Sequence, residues 1–399
     1  MFQKLVSHNN DLSSLVDKGY AVAFDSNYLV IRDIPYLDNE GKLQIGAFVT
    51  QLKFIDQNQV KQEDHQVFFA GGIPYQLDGT PISNLGGGTT TLALSKKCDD
   101  VIVQRSFSNK PKINGTWGLF SDFFEKIESY TCIISGPAID RYGVTPFTFN
   151  TDTNEDENSV FKFHDTLTSR AEITDLSTKF EHDIVILIGL GGTGAYLLDF
   201  LVKTPVKEIR AFDPDFFHVH NAFRSPGKLD PAELGKRKAE IYKTRYENFR
   251  HGLEIRPEFI DHTSEALLFG ATFAFVCVDK GSSRKEIFEL LIRMGIPFID
   301  VGMGLKRKEE LLTGLIRTTY YPNNRSTELL DKNLAELNDG PENIYRKNIQ
   351  IGELNALNAS IAIIRYKQLK SFYNEDIYNI NHIFNIADLN TIGDSYIDD

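Results

Sequence analysis

Apolar positions fall into two rhythms along this chain. Over the first 150 residues, short apolar or alternating runs such as "YAVAFD", "YLVIRDI", "GAFVTQLKFI", "HQVFFAGGI", "DVIVQRSF" and "YTCIIS" are broken by Gly, Pro, Asn and Asp, and each run has the length of a strand. One amphipathic helix is expected near "GLFSDFFEKIE". Residues 151–159, "TDTNEDENS", are polar and acidic and predict a linker. Beyond them apolar strand runs alternate with helical patterns: "DIVILIG" then "GAYLLDFLVK", "EIRAFD" then "PAELGKRKAEIYKTRYENF", "LEIRPEFI" then "SEALLFG", "FAFVCVD" then "SRKEIFELLIRMG", and "PFIDVG". That alternation predicts an α/β fold, a Rossmann-like and mostly parallel sheet with helices on both faces. The chain then closes with antiparallel strands from "LLTGLIRTTYY", a long helix in "IGELNALNASIAIIRYKQLKSFY" and a last strand in "HIFNIADL". The expected organisation is a smaller β-rich or α+β domain over 1–150, a linker over 151–169 and the α/β domain over 170–399.

Composition narrows the partners. A length of 399 residues suits two domains, because single cores stop growing at about 250–300 residues. The net charge of −12, from 43 basic and 55 acidic side chains, argues against a broad nucleic-acid surface, which needs Lys and Arg at the phosphates. The clusters Lys236-Arg237-Lys238 and Lys306-Arg307-Lys308 are local anion contacts at most. Cys98, Cys132 and Cys277 stand far apart without a CxxC pair, so neither a disulfide framework nor a cysteine zinc site is expected. The N-terminus lacks an apolar signal core and no apolar run reaches about 18 residues, which together point to a soluble cytoplasmic protein with no membrane partner.

The chemistry begins at "HDIVILIGLGGTGAYLLDF", residues 182–200, a strand, a glycine-rich turn and a helix. Gly189, Gly191, Gly192, Thr193 and Gly194 would bring backbone N–H groups to a phosphate at a helix N-terminus. Asp213 ends the next strand, where a carboxylate accepts ribose hydroxyls. Both features suit NAD and ATP equally. The segment "DPDFFHVHNAFR" adds Asp215, Asn221 and Arg224, and "GKRK" sets Lys238 at the start of a helix. A dehydrogenase has no need of such a set, whereas a polyphosphate being split requires fixed donors where charge accumulates.

On these residues the sequence resembles the ThiF/MoeB and ubiquitin-activating adenylyltransferases over residues 170 to about 391. The resemblance implies an enzyme that uses ATP and Mg2+ to adenylate the C-terminal carboxylate of a ubiquitin-like protein, with release of pyrophosphate. It assigns Asp213 to the ribose, Asn221 and Arg224 to the phosphates, and Lys238 to the phosphates in the transition state. Asp279 falls at the family's magnesium-associated aspartate, Arg284 at the Arg five residues on, and Arg170 at the Arg that completes the neighbouring subunit's site in a homodimer. Lys280 stands where the family has Asn, and Val219-His220 replace the commoner Leu-Ser. Structural zinc is not expected, since "TTYYPNN" occupies the place of the first CxxC. A thioester step would fall to Cys98 or Cys132, or be skipped.

The stretch "DHQVFFAGGIPYQLDG" resembles a domain found ahead of ThiF-type modules in bacteria, which implies recognition of the protein substrate or of a conjugating enzyme, in a conjugation system that serves antiviral defence. No catalytic constellation is read in that domain: His65 and Gly86-Gly87-Gly88 are taken as a satisfied histidine and a flexible loop. Cys132 and Cys277 are read as strand residues, and Cys98 as polar-flanked beside two lysines. Two rival functions stay open, an NAD(P)-dependent oxidoreductase and an inactive adenylation-like scaffold subunit.

Overall fold

The computed structural model describes residues 2–113, 116–149, 159–163, 165–171, 173–339 and 349–395. Two compact units emerge, one from Met1–Asn154 with Phe163–Asp175, the other from Glu155–Lys162 with Leu176–Asp399. Of the segment expected to be a linker, residues 151–158 lie outside the described residues. In its later part, Lys162 N–H donates to the Phe249 carbonyl and the Val160 carbonyl accepts from His251, while Thr166–Arg170 is a short helix.

The first unit is a six-stranded antiparallel sheet in the order Ala21–Asp25, Tyr28–Leu37, Leu43–Gln51, Val67–Ala70, Arg105–Phe107 and Gly88–Thr89. One face, with Leu29, Ile31, Phe48, Phe69 and Phe107, packs on the helix Phe123–Tyr142 through Phe123, Ile127, Tyr130 and Ile134. Their i, i+4, i+7 and i+11 spacing is one stripe of a helix. This helix is longer than expected and absorbs "YTCIIS", whose β-branched residues mimic a strand when read without their neighbours. Asp122 starts it by accepting from Glu125 N–H, and Gly143, at φ +61°, stops it. Cys132 is therefore an exposed helix residue and not a strand residue. Cys98, polar-flanked in sequence, is buried with Val30, Ala47 and Val49 on the other sheet face. Two further helices, Phe2–His8 and Asn10–Asp17, precede the sheet.

The second unit has eight strands in the order Leu253–Arg256, Glu208–Phe212, Ile184–Ile188, Phe273–Val276, Phe298–Lys308, Leu311–Tyr321, Asn381–Asn385 and Asn390–Asp394. The first five are parallel and the last three antiparallel. Ile184–Ile188 is covered on both sides, which is why it reads as a continuous apolar run. Val185 and Leu187 meet the helices Gly192–Val202 and Gly352–Leu369. Ile186 and Ile188 meet the helix Gly281–Arg293. One continuous helix over "PAELGKRKAEIYKTRYENF" does not form; a short turn of helix, Pro231–Glu233, is followed by Gly235 at φ +80° and then by Lys238–Tyr246. The chain leaves Ile184–Ile188 toward Glu208–Phe212 on one side and later takes up Phe273–Val276 on the other. A crevice opens outside the carboxyl ends of strands at such a reversal.

Candidate functional site

The glycine turn sits at that reversal. Gly189 has φ +94°, and a Cβ there would lie 2.8 Å from the Cys277 carbonyl oxygen. A Cβ on Gly194 would lie 1.9 Å from the Gly189 carbonyl oxygen, so neither position accepts another residue without moving the backbone. Gly191 is the N-cap of Gly192–Val202, and Thr193 Oγ1 donates to Asn355 Oδ1 at 2.9 Å. Asn355 is 1% exposed, and its Nδ2 has no partner among the described residues.

Asp213 closes the neighbouring strand and turns back on the glycine turn. Its Oδ2 accepts Leu190 N–H at 2.6 Å and its Oδ1 accepts Asp215 N–H at 2.9 Å. Lys238, at the first position of its helix, is 4% exposed and reaches Asp213 Oδ2 at 3.2 Å and Asp215 Oδ2 at 2.8 Å. The Lys238 N–H donates to the Asp215 carbonyl, which fixes the helix start against the strand end. Two carboxylates thus hold the lysine expected at the phosphates.

Around this pair lies a cavity of ≈430 Å³ whose walls include Phe216, His218, His220, Asn221, Arg224 and Arg237. Asn221 is buried in the turn of helix Val219–Ala222, where its Oδ1 accepts His218 N–H at 2.8 Å. Arg224 follows, half-buried, with Nε buried and without a partner among the described residues. Arg237 donates to the Pro214 carbonyl and stacks on the Phe216 ring at 4.0 Å. Burial lowers the basicity of His220, and the positive charges of Arg224 and Lys238 push the same way. Asn221, Arg224, Lys238 and Asp215 are thereby brought to one cavity.

Other expected site residues lie elsewhere. Arg284 Nε donates to Asp300 Oδ1 at 3.0 Å, and its other nitrogens donate to the Glu336 and Val278 carbonyls. Asp300, fully buried, also binds Arg317. This buried pairing occupies the Arg284 guanidinium, which does not line the cavity. Asp279 is exposed in the loop after Phe273–Val276, beside Lys280, the N-cap of Gly281–Arg293. Arg170 ends Thr166–Arg170, and its side chain lies outside the described residues. Cys277 follows its strand and does not belong to it; burial pushes its thiol up, away from the reactive thiolate. No three His, Cys, Asp or Glu side chains converge on a metal position among the described residues. Nor, among them, is any helix long and apolar enough to cross a membrane.

Sequence reasoning missed Asn355 and His218, and it read Arg237 only as part of a basic cluster making a local anion contact. Asn355 had a signal, since two asparagines, Asn355 and Asn358, stand in a helix interior that disfavours them.

The comparisons with known proteins can now be set beside this geometry. The family model "ThiF family" matches residues 169–308, and "Domain of unknown function (DUF6791)" matches residues 10–166. No curated protein matches the chain. Among solved structures it is similar to PaaA, with 15% identity over 62% of this chain and 76% of that one, at a TM-score of 0.44. E. coli MccB with succinimide gives 14% identity over 58% and 72%, at 0.43. The E. coli tRNA N6-threonylcarbamoyladenosine dehydratase TcdA in complex with ATP gives 16% over 51% and 92%, at 0.40. The chain carries a ThiF family domain over residues 169–308, behind a DUF6791 domain over residues 10–166.

Proposed function

We propose that the second unit is an ATP-dependent adenylyltransferase that activates the C-terminal carboxylate of a ubiquitin-like protein. One observation carries the reading: Asn221, Arg224 and Lys238 line or border one cavity beside the glycine turn of a ThiF family domain. The unpartnered Nε of Arg224 fits an anion, and Gly191, where an added Cβ would meet nothing within 4 Å, leaves the N-terminus of Gly192–Val202 open to a phosphate.

In this reading Arg224 and Lys238 meet the charge that accumulates on the α-phosphate and on the departing pyrophosphate while the carboxylate attacks. The enzyme needs no protein nucleophile for the step; positioning and fixed charge suffice. Lys238 must exchange the Asp215 carboxylate for a phosphate oxygen, and Asp213 offers its remaining lone pairs to the ribose. Asp279, exposed after its strand, is the carboxylate that would hold a magnesium ion brought with the triphosphate, and the bound ion would neutralise phosphate charge. Arg170 reaching a second copy in a homodimer, and the first unit recognising the ubiquitin-like protein or a conjugating enzyme, complete the reading within a bacterial conjugation system.

The test is ATP–pyrophosphate exchange by the full chain, with and without a ubiquitin-like protein. Exchange that requires the intact C-terminal tail and vanishes in Arg224→Ala is expected. ATP binding without exchange would overturn the catalytic reading in favour of a scaffold, and NADH binding without ATP binding would overturn the nucleotide.

A further inference from the structure

A second cavity, ≈730 Å³, lies in the first unit, and its walls include Asn84, Gly86, Ser108, Asn109, Lys110 and Trp117. Ser108 immediately follows the strand Arg105–Phe107, and His65 lies two residues before its neighbour Val67–Ala70. Their side chains meet across this pair: Ser108 Oγ is 2.8 Å from His65 Nε2. On the other side of the ring, Asp64 Oδ1 is 3.3 Å from Nδ1.

The backbone beneath this contact is held by buried polar groups. Lys126, 1% exposed, donates from Nζ to the Asp64 carbonyl at 2.5 Å and to Thr50 Oγ1 at 2.7 Å. Tyr130, fully buried, donates to the His65 carbonyl at 2.8 Å and accepts Asn109 N–H at 2.7 Å. One phenol thereby ties the histidine's loop to the serine's loop. A chance surface contact between a serine and a histidine has no such support, whereas a nucleophile and its base require rotamers locked from behind.

We propose that the first unit is an acyl-transfer centre in which Ser108 is the nucleophile, His65 its general base and Asp64 the group that orients the imidazole. Burial holds His65 below its ordinary basicity, and Lys110 and Lys126 act in the same direction against Asp64. The ring is therefore neutral near pH 7 and free to take a proton. Ser108 Oγ attacks the carbonyl carbon of an ester or thioester, and its proton passes to His65 Nε2 as the carbonyl π pair moves to oxygen. Collapse of the tetrahedral species breaks the bond to the leaving alcohol or thiol, which takes the proton from His65. Water, deprotonated by the same nitrogen, then releases the acyl group as a carboxylic acid and restores Ser108. Asn84, Asn109 and Lys110 line the cavity, and their side chains carry the donors on hand for the developing oxyanion. Lys112, whose Nζ is 4.8 Å over the exposed Trp117 ring, extends the same rim.

The experiment uses the full chain, a fluorophosphonate probe and p-nitrophenyl acetate, and requires no nucleotide, so it is read independently of the second unit. The expected result is a probe adduct on Ser108, found by mass spectrometry, and hydrolysis that falls about 100-fold or more in Ser108→Ala and in His65→Gln. In Ser108→Cys, iodoacetamide alkylation followed by mass spectrometry distinguishes the new thiol from exposed Cys132. Its alkylation rate near about pH 7.5 should fall when His65→Gln is added, because the neutral imidazole no longer takes the thiol proton. Hydrolysis equal in wild type and Ser108→Ala, or alkylation of Ser108→Cys that ignores His65, overturns the proposal.

Discussion

Two lysines among the described residues are buried, one in each unit, and they are held in opposite ways. Lys238 lies between the carboxylates of Asp213 and Asp215. Lys126 donates to a hydroxyl and a carbonyl, with no carboxylate in bonding range among its hydrogen bonds. Burial accordingly lowers the Lys126 ammonium to about 8. A lysine clasped by anions can be handed to another anion, whereas one clasped by neutral oxygens braces a backbone. The same side chain is set up for exchange in one unit and for support in the other.

Removing each lysine in turn tests that contrast most strongly. Lys238→Met should lower ATP–pyrophosphate exchange by about 10²–10³-fold, and Arg224→Ala by a similar factor with little change in unfolding temperature, since Arg224 Nε has no partner among the described residues to lose. Lys126→Met should leave exchange intact. Equal losses in both lysine variants would erase the distinction.

A buried charge held by partners on two sides extends the comparison. Asp300 is fully buried and bound by Arg284 and Arg317. Arg284→Ala should cost about 3 kcal/mol in denaturant unfolding, because it leaves a buried carboxylate half-compensated. An unchanged midpoint would show that Arg284 serves a ligand and not the core.

The third effect is on pH dependence. The folded chain releases the Lys126 proton near pH 8, while the unfolded chain keeps it to about 10.4. Between these values the unfolded state binds more protons, so the stability of the first unit rises with pH, by about 3 kcal/mol at most. Thermal unfolding from pH 7.5 to 10 should show that rise in the wild type and a flatter profile in Lys126→Met. The smallest change is to the helix that carries Lys126: Asp122→Ala removes its N-cap and should cost about 1 kcal/mol, measured by urea unfolding.

What the sequence disclosed follows from how far each feature reaches along the chain. The parallel sheet was legible because Ile184–Ile188 and Phe273–Val276 are apolar on both faces and alternate with helices. The helix Phe123–Tyr142 was legible only at its start, because Thr131, Ile133 and Ile134 carry a strand's composition on a helix's period. The glycine turn is local, and its residues could be read in order. Pairings could not: Asn355 meets Thr193 across 162 positions, and the Arg284–Asp300 clamp needs a helix and a strand to pack. His65 was read as a satisfied histidine, and it does have a partner, Ser108, 43 positions away. Only the fold reveals that this partner is a hydroxyl facing a cavity.

The clasp on Lys238 also bears on how an anion enters its cavity. Asp213 and Asp215 already neutralise part of the positive field before any ligand arrives, so entry is a swap of one anion for another and not the filling of a bare cationic hole. Fewer solution counter-ions wait to be released than the count of basic side chains suggests. Affinity for a polyphosphate should therefore fall less steeply with added salt than the three cations Arg224, Arg237 and Lys238 would imply.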